Sequence, residues 1–211
     1  QEARALAKGN AKSFLHVIRP EIDLPQGIDE HADIVYQTGA DNLRKYAASK
    51  ASLQEEEPSL YVYRLIMNGR AQTGIFGCVS VDDYDNDVIL KHELTRPVKE
   101  DDRTRHILEQ RAHAEPVMLT FKDDAAIASV IATTQEQDSL YDLTAADGVQ
   151  HTIWKVDDAL SLASLFQQVN HLYVADGHHR CKAASRAAAE LAEDGEVRFF
   201  PAVLFPMADM E

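Results

Sequence analysis

The chain has 211 residues and a formal charge of −14, from 21 Lys and Arg against 35 Asp and Glu. Apolar residues at 45% and charged residues at 27% are a globular mix, which excludes collagen-like, mucin-like and disulfide-scaffold classes. The acidic balance argues against a duplex DNA binder, which needs a basic face, and no run of about 18 apolar residues offers a membrane span.

In chain order, residues 1–8 read as the tail of a helix stopped by Gly9-Asn10. Residues 13–19 (SFLHVIR) form a short apolar run of strand formers, broken by Pro20 and an acidic loop through Asp33. Residues 33–49 predict a helix and 54–59 (QEEEPS) a solvated turn. Residues 60–66 (LYVYRLI) read as a strand that returns over 71–81 through Asn68-Gly69, a hairpin signal because both residues tolerate positive φ. The acidic run 82–87 reads as a second turn and 88–90 as the third strand of that sheet. Residues 95–112 are charged and helical after Pro97, 116–121 is a strand, and 124–133 a short helix. Segments 141–144 and 149–156 flank Ala146-Asp147-Gly148 as another hairpin. Residues 157–169 predict an amphipathic helix with Leu160, Ala163, Leu165 and Phe166 inward. A short buried strand at 172–175 leads into a helix from Asp176 to about residue 193. A final strand at 197–205 is interrupted by Pro201 and followed by a short tail to Glu211. Antiparallel hairpins mixed with helices give an α+β fold of mixed, largely antiparallel sheets. The chain reads as one unit over 1–211, with a sub-division into 1–91 and 92–211 left open.

Cys78 and Cys181 are too few for a disulfide framework or a thiolate metal site. Low cysteine use suits the cytoplasm. The chain opens on Gln1 in the middle of a helical pattern, so it reads as a fragment of a longer protein.

The stretch richest in chemistry is Ala175-Asp176-Gly177-His178-His179-Arg180, between an apolar strand and an Ala-rich helix. Asp176 reads as an N-cap, and Gly177 allows close approach of a ligand. Helix-start N–H groups lack partners and carry the positive end of the helix dipole. With His178, His179 and Arg180 added, the turn reads as an anion site, most naturally for phosphate. The plain alternative is a pair of surface histidines and an arginine in an ordinary ion pair.

A second constellation is His92-Glu93-Leu94-Thr95-Arg96-Pro97, followed by Lys99, Glu100, Asp101, Asp102, Arg103, Arg105 and His106. Such a run is commonly a solvated helix face. As a second wall of the site, Glu93 would act as general base, beside His92, while Lys99 and Arg103 clamp phosphate oxygens. A zinc peptidase is rejected, because Arg96 stands where the second His of His-Glu-x-x-His belongs. Trp154 reads as core and His151 as a packed histidine. The aspartates of 82–87 lack the glycine and closing Glu of a calcium loop. No Gly-x-Gly-x-x-Gly and no Walker loop is present.

Phe14-Leu15-His16-Val17, Tyr61-Val62-Tyr63-Arg64, Gly74, His92-Glu93 with Thr95, the Lys99 to Arg103 run, Pro116-Val117, His151 with Trp154, and Tyr173 through Arg180 together resemble the domain of unknown function 1015 family of bacteria and archaea. The resemblance spans nearly the whole chain. Its Asp-Gly-His-His-Arg signature is in turn similar to the phosphate loop of the ParB/sulfiredoxin-like superfamily, in the form found in ADP-dependent free-serine kinases. That resemblance implies Glu93 as catalytic base, Gly177, His178, His179 and Arg180 as nucleotide-phosphate ligands, and Asp176 as the acidic residue opening the loop. Cys181 follows Arg180 instead of lying inside the loop, which disfavours sulfiredoxin-type reductase chemistry.

The expectation is therefore a cytoplasmic small-molecule kinase, moving a phosphoryl group from a nucleotide or pyrophosphate to a metabolite hydroxyl such as that of serine. A Mg²⁺ held through Asp176 would offset phosphate charge. Its partners are a small-molecule substrate and a nucleotide, with no nucleic acid and no membrane. A non-catalytic nucleotide-binding switch is the alternative, and a structural interaction domain the third.

Overall fold

A computed structural model describes residues 2–191 and 195–210. The expected helix start at residue 1, the end of the long helix near 193 and the last tail residue lie outside the described residues. One eight-stranded mixed sheet organises the chain, in the order β3-β7-β4-β8-β2-β1-β6-β5. Its strands are β1 (Tyr61–Met67), β2 (Arg70–Ser80), β3 (Ile89–Leu90), β4 (Val117–Phe121), β5 (Tyr141–Thr144), β6 (Gln150–Lys155), β7 (Leu172–Asp176) and β8 (Phe199–Pro206). Five pairings are antiparallel, and β3 with β7 and β4 with β8 are parallel. The mixed, largely antiparallel α+β expectation therefore holds, but in one sheet. The third strand, β3, lies at the far edge beside β7 and not beside the first hairpin.

Both residues of the β1–β2 turn carry positive φ, Asn68 at 53° and Gly69 at 78°, as the Asn-Gly signal requires. Gly74 in β2 is there for space: a Cβ would come within 2.6 Å of the Leu204 carbonyl oxygen on β8. Pro201 does not interrupt β8. Pairing with β4 begins only at Ala202, so its missing N–H leaves no bond unmade on that side.

The helices are α1 (Glu2–Ala7), α2 (Leu15–Ile18), α3 (Asp33–Ala47), α4 (Val81–Asp85), α5 (Pro97–Gln110), α6 (Ala125–Gln135), α7 (Ala159–Phe166) and α8 (His178–Glu190). Three expectations are corrected. The SFLHVIR run is helical, burying Val17 against α3 instead of joining the sheet. The acidic run after β2 is a helix, because Ser80 accepts from the Asp82 N–H as N-cap while Val81 and Tyr84 are buried three residues apart. In α7 the buried residue is Leu162, while Leu160 is exposed and Ala163 faces solvent. Asp158 caps that helix through the Ser161 N–H.

Helix α8 buries Cys181, Ala184, Ala187 and Ala188 against β4 and β8, and small side chains let it sit close to the sheet. Helix α5 lies on α8, and α3 on α5. Arg186 on α8 ties α5 in place through Glu100 at 3.3 Å and Asp101 at 2.7 Å. Near the other end of the sheet, α6 packs on β1, β2 and β6. Trp154 is buried there as expected, with the Arg64 guanidinium 4.9 Å above its ring. His151 is a packed histidine, its Nδ1 2.7 Å from the Tyr63 hydroxyl.

Candidate functional site

The pairing of two short parallel strands creates the site. Leu90 of β3 lies beside Tyr173 of β7. Parallel strands deliver their C-terminal ends to the same edge of a sheet, a place where ligands gather in open sheets. The chain leaving β3 thus brings His92 and Glu93 alongside the end of β7, where Asp176 and Gly177 lead into α8. Strand β4 runs antiparallel to β7, with a register shift between Met118 and Leu119, so Glu115, Pro116 and Val117 close the same end.

Gly177, not Asp176, is the N-cap of α8. Its φ of 97° is left-handed, and a Cβ there would meet Arg180 Nε and Val117 Cγ1, each at 3.1 Å. Asp176 instead ends β7, and its carboxylate accepts from the Arg180 guanidinium. The same guanidinium donates to the Pro116 carbonyl, so Arg180 bolts the turn to β4.

A cleft of about 540 Å³ opens over this turn. Glu93, Lys99, Arg103, Asp176, Gly177, His178, His179 and Arg180 all line it, although the two motifs are far apart in sequence. His92 does not line the cleft; it stands beside it, its ring edge-on to His178 at 4.4 Å. The start of α5 meets the start of α8 here: the Arg96 N–H donates to His179 Nδ1 at 3.4 Å. The first N–H groups of both helices lack intrahelical partners, and both dipoles present their positive ends.

Most of the cations in this wall are already occupied. Arg180 pairs with Asp176, Arg103 with Glu115 at 2.8 Å, and Arg19 with Glu21 at 2.7 Å. Lys99 is the cleft lysine without an ion-pair partner among the described residues. His178 is 6% exposed, and burial pushes its imidazole below the ordinary value, with His92 adding to the push and Glu93 opposing it. Its Nδ1 is 3.7 Å from Glu93 Oε2, and its Nε2 is buried without a hydrogen-bond partner among the described residues. Cys181 is fully buried, and its thiol is pushed up to about 12 by that burial, which leaves no thiolate for reductase chemistry.

Sequence reasoning missed the opposite wall. Ile18, His31 and Val35 line it, facing Asp102 and His106, which belong to the charged run after Pro97 on the same helix as Lys99 and Arg103. The Tyr36 hydroxyl donates to Asp102 Oδ1 at 2.9 Å, and His31 Nδ1 is 3.1 Å from the same oxygen. Burial and the Asp102 carboxylate both raise the Tyr36 phenol, holding it neutral as a donor. No spacing signal joins residues so distant in the chain.

The family model described as "Protein of unknown function (DUF1015)" matches residues 1–211. The chain belongs to the DUF1015 family. No curated protein and no solved structure matches it. The DUF1015 match covers both motifs of the cleft and the N-terminal segment that supplies the opposite wall. Among the described residues of this DUF1015 chain, no helix is long and apolar enough to cross a membrane.

Proposed function

We propose that the chain is a small-molecule phosphotransferase whose cleft holds the phosphates of a nucleotide or pyrophosphate against the β7–α8 turn. The turn is read as a phosphate loop of the ParB/sulfiredoxin-like kind. The observation that carries the reading is the convergence of Glu93, Lys99 and the residue 176–180 turn on one cleft. Phosphoryl transfer requires mainly positioning and charge neutralisation, and two helix starts with a lysine supply both.

In this reading the backbone N–H groups of His178, His179 and Arg180 hold terminal phosphate oxygens, and Lys99 approaches them from α5. The acceptor hydroxyl oxygen forms a bond to the terminal phosphorus as the bond from that phosphorus to its bridging oxygen breaks. The hydroxyl proton passes to Glu93, and the nucleotide leaves one phosphoryl group shorter. Arg180 acts by fixing the loop, since its guanidinium is held by Asp176 and Pro116. The same ion pair disfavours Asp176 as a resident Mg²⁺ ligand; the ion arrives with the nucleotide as part of the co-substrate. The acceptor is a small polar metabolite with a free hydroxyl, serine among them. Two free thiols fit a cytoplasmic setting.

Leu94 and Val98 favour a second reading: Val98 lines the cleft, Leu94 follows the cleft residue Glu93 in the chain, and both apolar side chains are exposed, 99% and 67% accessible. A nucleotide bound beside them could gate a partner surface without turnover.

The test is a thermal-shift panel of ADP, ATP, CTP and pyrophosphate with Mg²⁺, followed by turnover in Glu93→Gln. Stabilisation by at least one ligand, with turnover lost and binding kept in the variant, supports the kinase. Ligand-dependent oligomerisation without turnover in either protein supports the switch. No stabilisation by any ligand contradicts both.

A further inference from the structure

We infer that His92, Glu93 and His178 form a binding site for a divalent transition-metal ion of the zinc or manganese type. The inference concerns the same cleft but does not depend on the phosphate reading.

One ligand atom from each of the three residues lies within 4.8 Å of the others. His178 is the fixed member. Its ring is almost wholly buried, its Nε2 has no hydrogen-bond partner among the described residues, and its Nδ1 stands 3.7 Å from Glu93 Oε2. That distance is beyond hydrogen-bond range, yet close to the roughly 3.4 Å that separates two ligands around a tetrahedral ion with bonds of about 2.1 Å. Of the two ring nitrogens only Nε2 is buried without a hydrogen-bond partner among the described residues, so Nδ1, which faces Glu93, is the nitrogen open to an ion.

His92 and Glu93 are the adjustable members. Both are exposed and lie on the segment between β3 and α5, facing the imidazole of His178. The second imidazole comes from another strand end, not from the position of Arg96 that a helical His-Glu-x-x-His motif would use. Two imidazoles and one carboxylate select zinc, manganese or iron(II) over magnesium, which prefers all-oxygen surroundings. Three protein ligands leave at least one coordination position open toward the cleft, the arrangement of a catalytic and not a structural metal site. With the ion bound, Glu93 gives one oxygen to the metal, and a coordinated water or hydroxyl would be acidified by the ion.

The probe is Co²⁺, titrated into the metal-free chain and followed by visible absorption, with Zn²⁺ added as competitor. Expected are one equivalent of Co²⁺ bound, bands intense enough for four- or five-coordination, and displacement by Zn²⁺. His92→Ala and Glu93→Gln, both at exposed positions, should each weaken binding at least tenfold while circular dichroism stays unchanged. His178→Ala leaves a buried gap, so its folding is checked separately and it does not decide the matter. Failure of the wild-type chain to bind Co²⁺ or Zn²⁺ overturns the site. So does binding that is equal in wild type, His92→Ala and Glu93→Gln, because the ion is then elsewhere. Nucleotide stabilisation measured with Mg²⁺ in His92→Ala separates the two ideas: stabilisation kept while Co²⁺ binding is lost leaves the phosphate reading standing beside the metal site, and Co²⁺ binding by a wild-type chain that no nucleotide stabilises leaves the metal site standing alone.

Discussion

Leu90 and Tyr173 are neighbours in a parallel pairing of only two residue pairs, and that contact aligns the exits of β3 and β7. Everything at the cleft depends on it. Glu93 reaches His178 because both follow strands that end at the same edge. The helices that complete the walls are then locked by Arg186, which grips Glu100 and Asp101 across the α5–α8 contact.

Gly177→Ala should lower stability by about 1–2 kcal/mol, because an L side chain at φ 97° is strained and its Cβ crowds Arg180. Chemical denaturation measures this directly. Gly177→Asn should cost less in backbone strain, since Asn tolerates the left-handed region better than Ala. Equal stability of the alanine variant and the wild type would contradict the turn as described.

Lys99→Ala should weaken pyrophosphate or nucleotide binding about tenfold, or ~1.4 kcal/mol, while leaving the melting temperature of the ligand-free chain nearly unchanged. The lysine is the cleft cation that no carboxylate occupies among the described residues, so its charge is available to a ligand. Lys99→Arg should retain most of the affinity. Isothermal titration is the measurement.

Asp176→Asn should have an effect of opposite sign on binding. Asp176 is largely exposed, so losing its pairing with Arg180 should cost less than about 1 kcal/mol of stability. Removing a negative charge beside the loop should tighten phosphate binding, while Arg180 still holds the loop through the Pro116 carbonyl. Weaker binding in this variant would assign Asp176 a direct role toward the ligand or its metal.

His106 and His113 set a pH dependence of stability. Burial lowers both imidazoles, so the unfolded chain takes up protons near its ordinary value, about pH 6.5, before the folded chain does. Their contribution is complete above about pH 6.5 and is lost as pH falls below it toward the folded values. His113 has the simpler environment: burial is the cause of its shift, and its Nε2 has no hydrogen-bond partner among the described residues. His113→Phe keeps a ring and removes the titration. Thermal melts at about pH 7.5 and about pH 5 should show the variant gaining on the wild type at the lower pH. Parallel losses in both proteins would contradict this.

What the residues made legible and what they hid follows physical lines. The Asn68-Gly69 hairpin is readable because its backbone demand is met by the two residues that accept it. The strand-to-helix turn is readable in place but not in detail: Asp176 reads as the N-cap, whereas Gly177 at φ 97° takes that position and Asp176 pairs with Arg180. The SFLHVIR stretch at 13–19 misleads because β-prone residues form the four-residue helix α2 when Val17 is buried on α3 and His16 is held by Asp23 at 2.8 Å. The acidic run after β2 misleads because its charge hides Val81 and Tyr84, which are buried on one helical face. Strand β3 is too short for any pattern to announce its parallel partner, so no local signal in the chain brings Glu93 to His178. The wall built from His31, Tyr36 and Asp102 is purely tertiary.

The most direct measurement is a crystal structure of the chain with pyrophosphate and Mg²⁺ bound. The expected result is phosphate oxygens at about 2.8–3.0 Å from the N–H groups of His178, His179 and Arg180, with the Lys99 ammonium turned toward them. Phosphate bound away from the β7–α8 turn, or no binding at concentrations that saturate ordinary nucleotide enzymes, would contradict the phosphate-cleft reading.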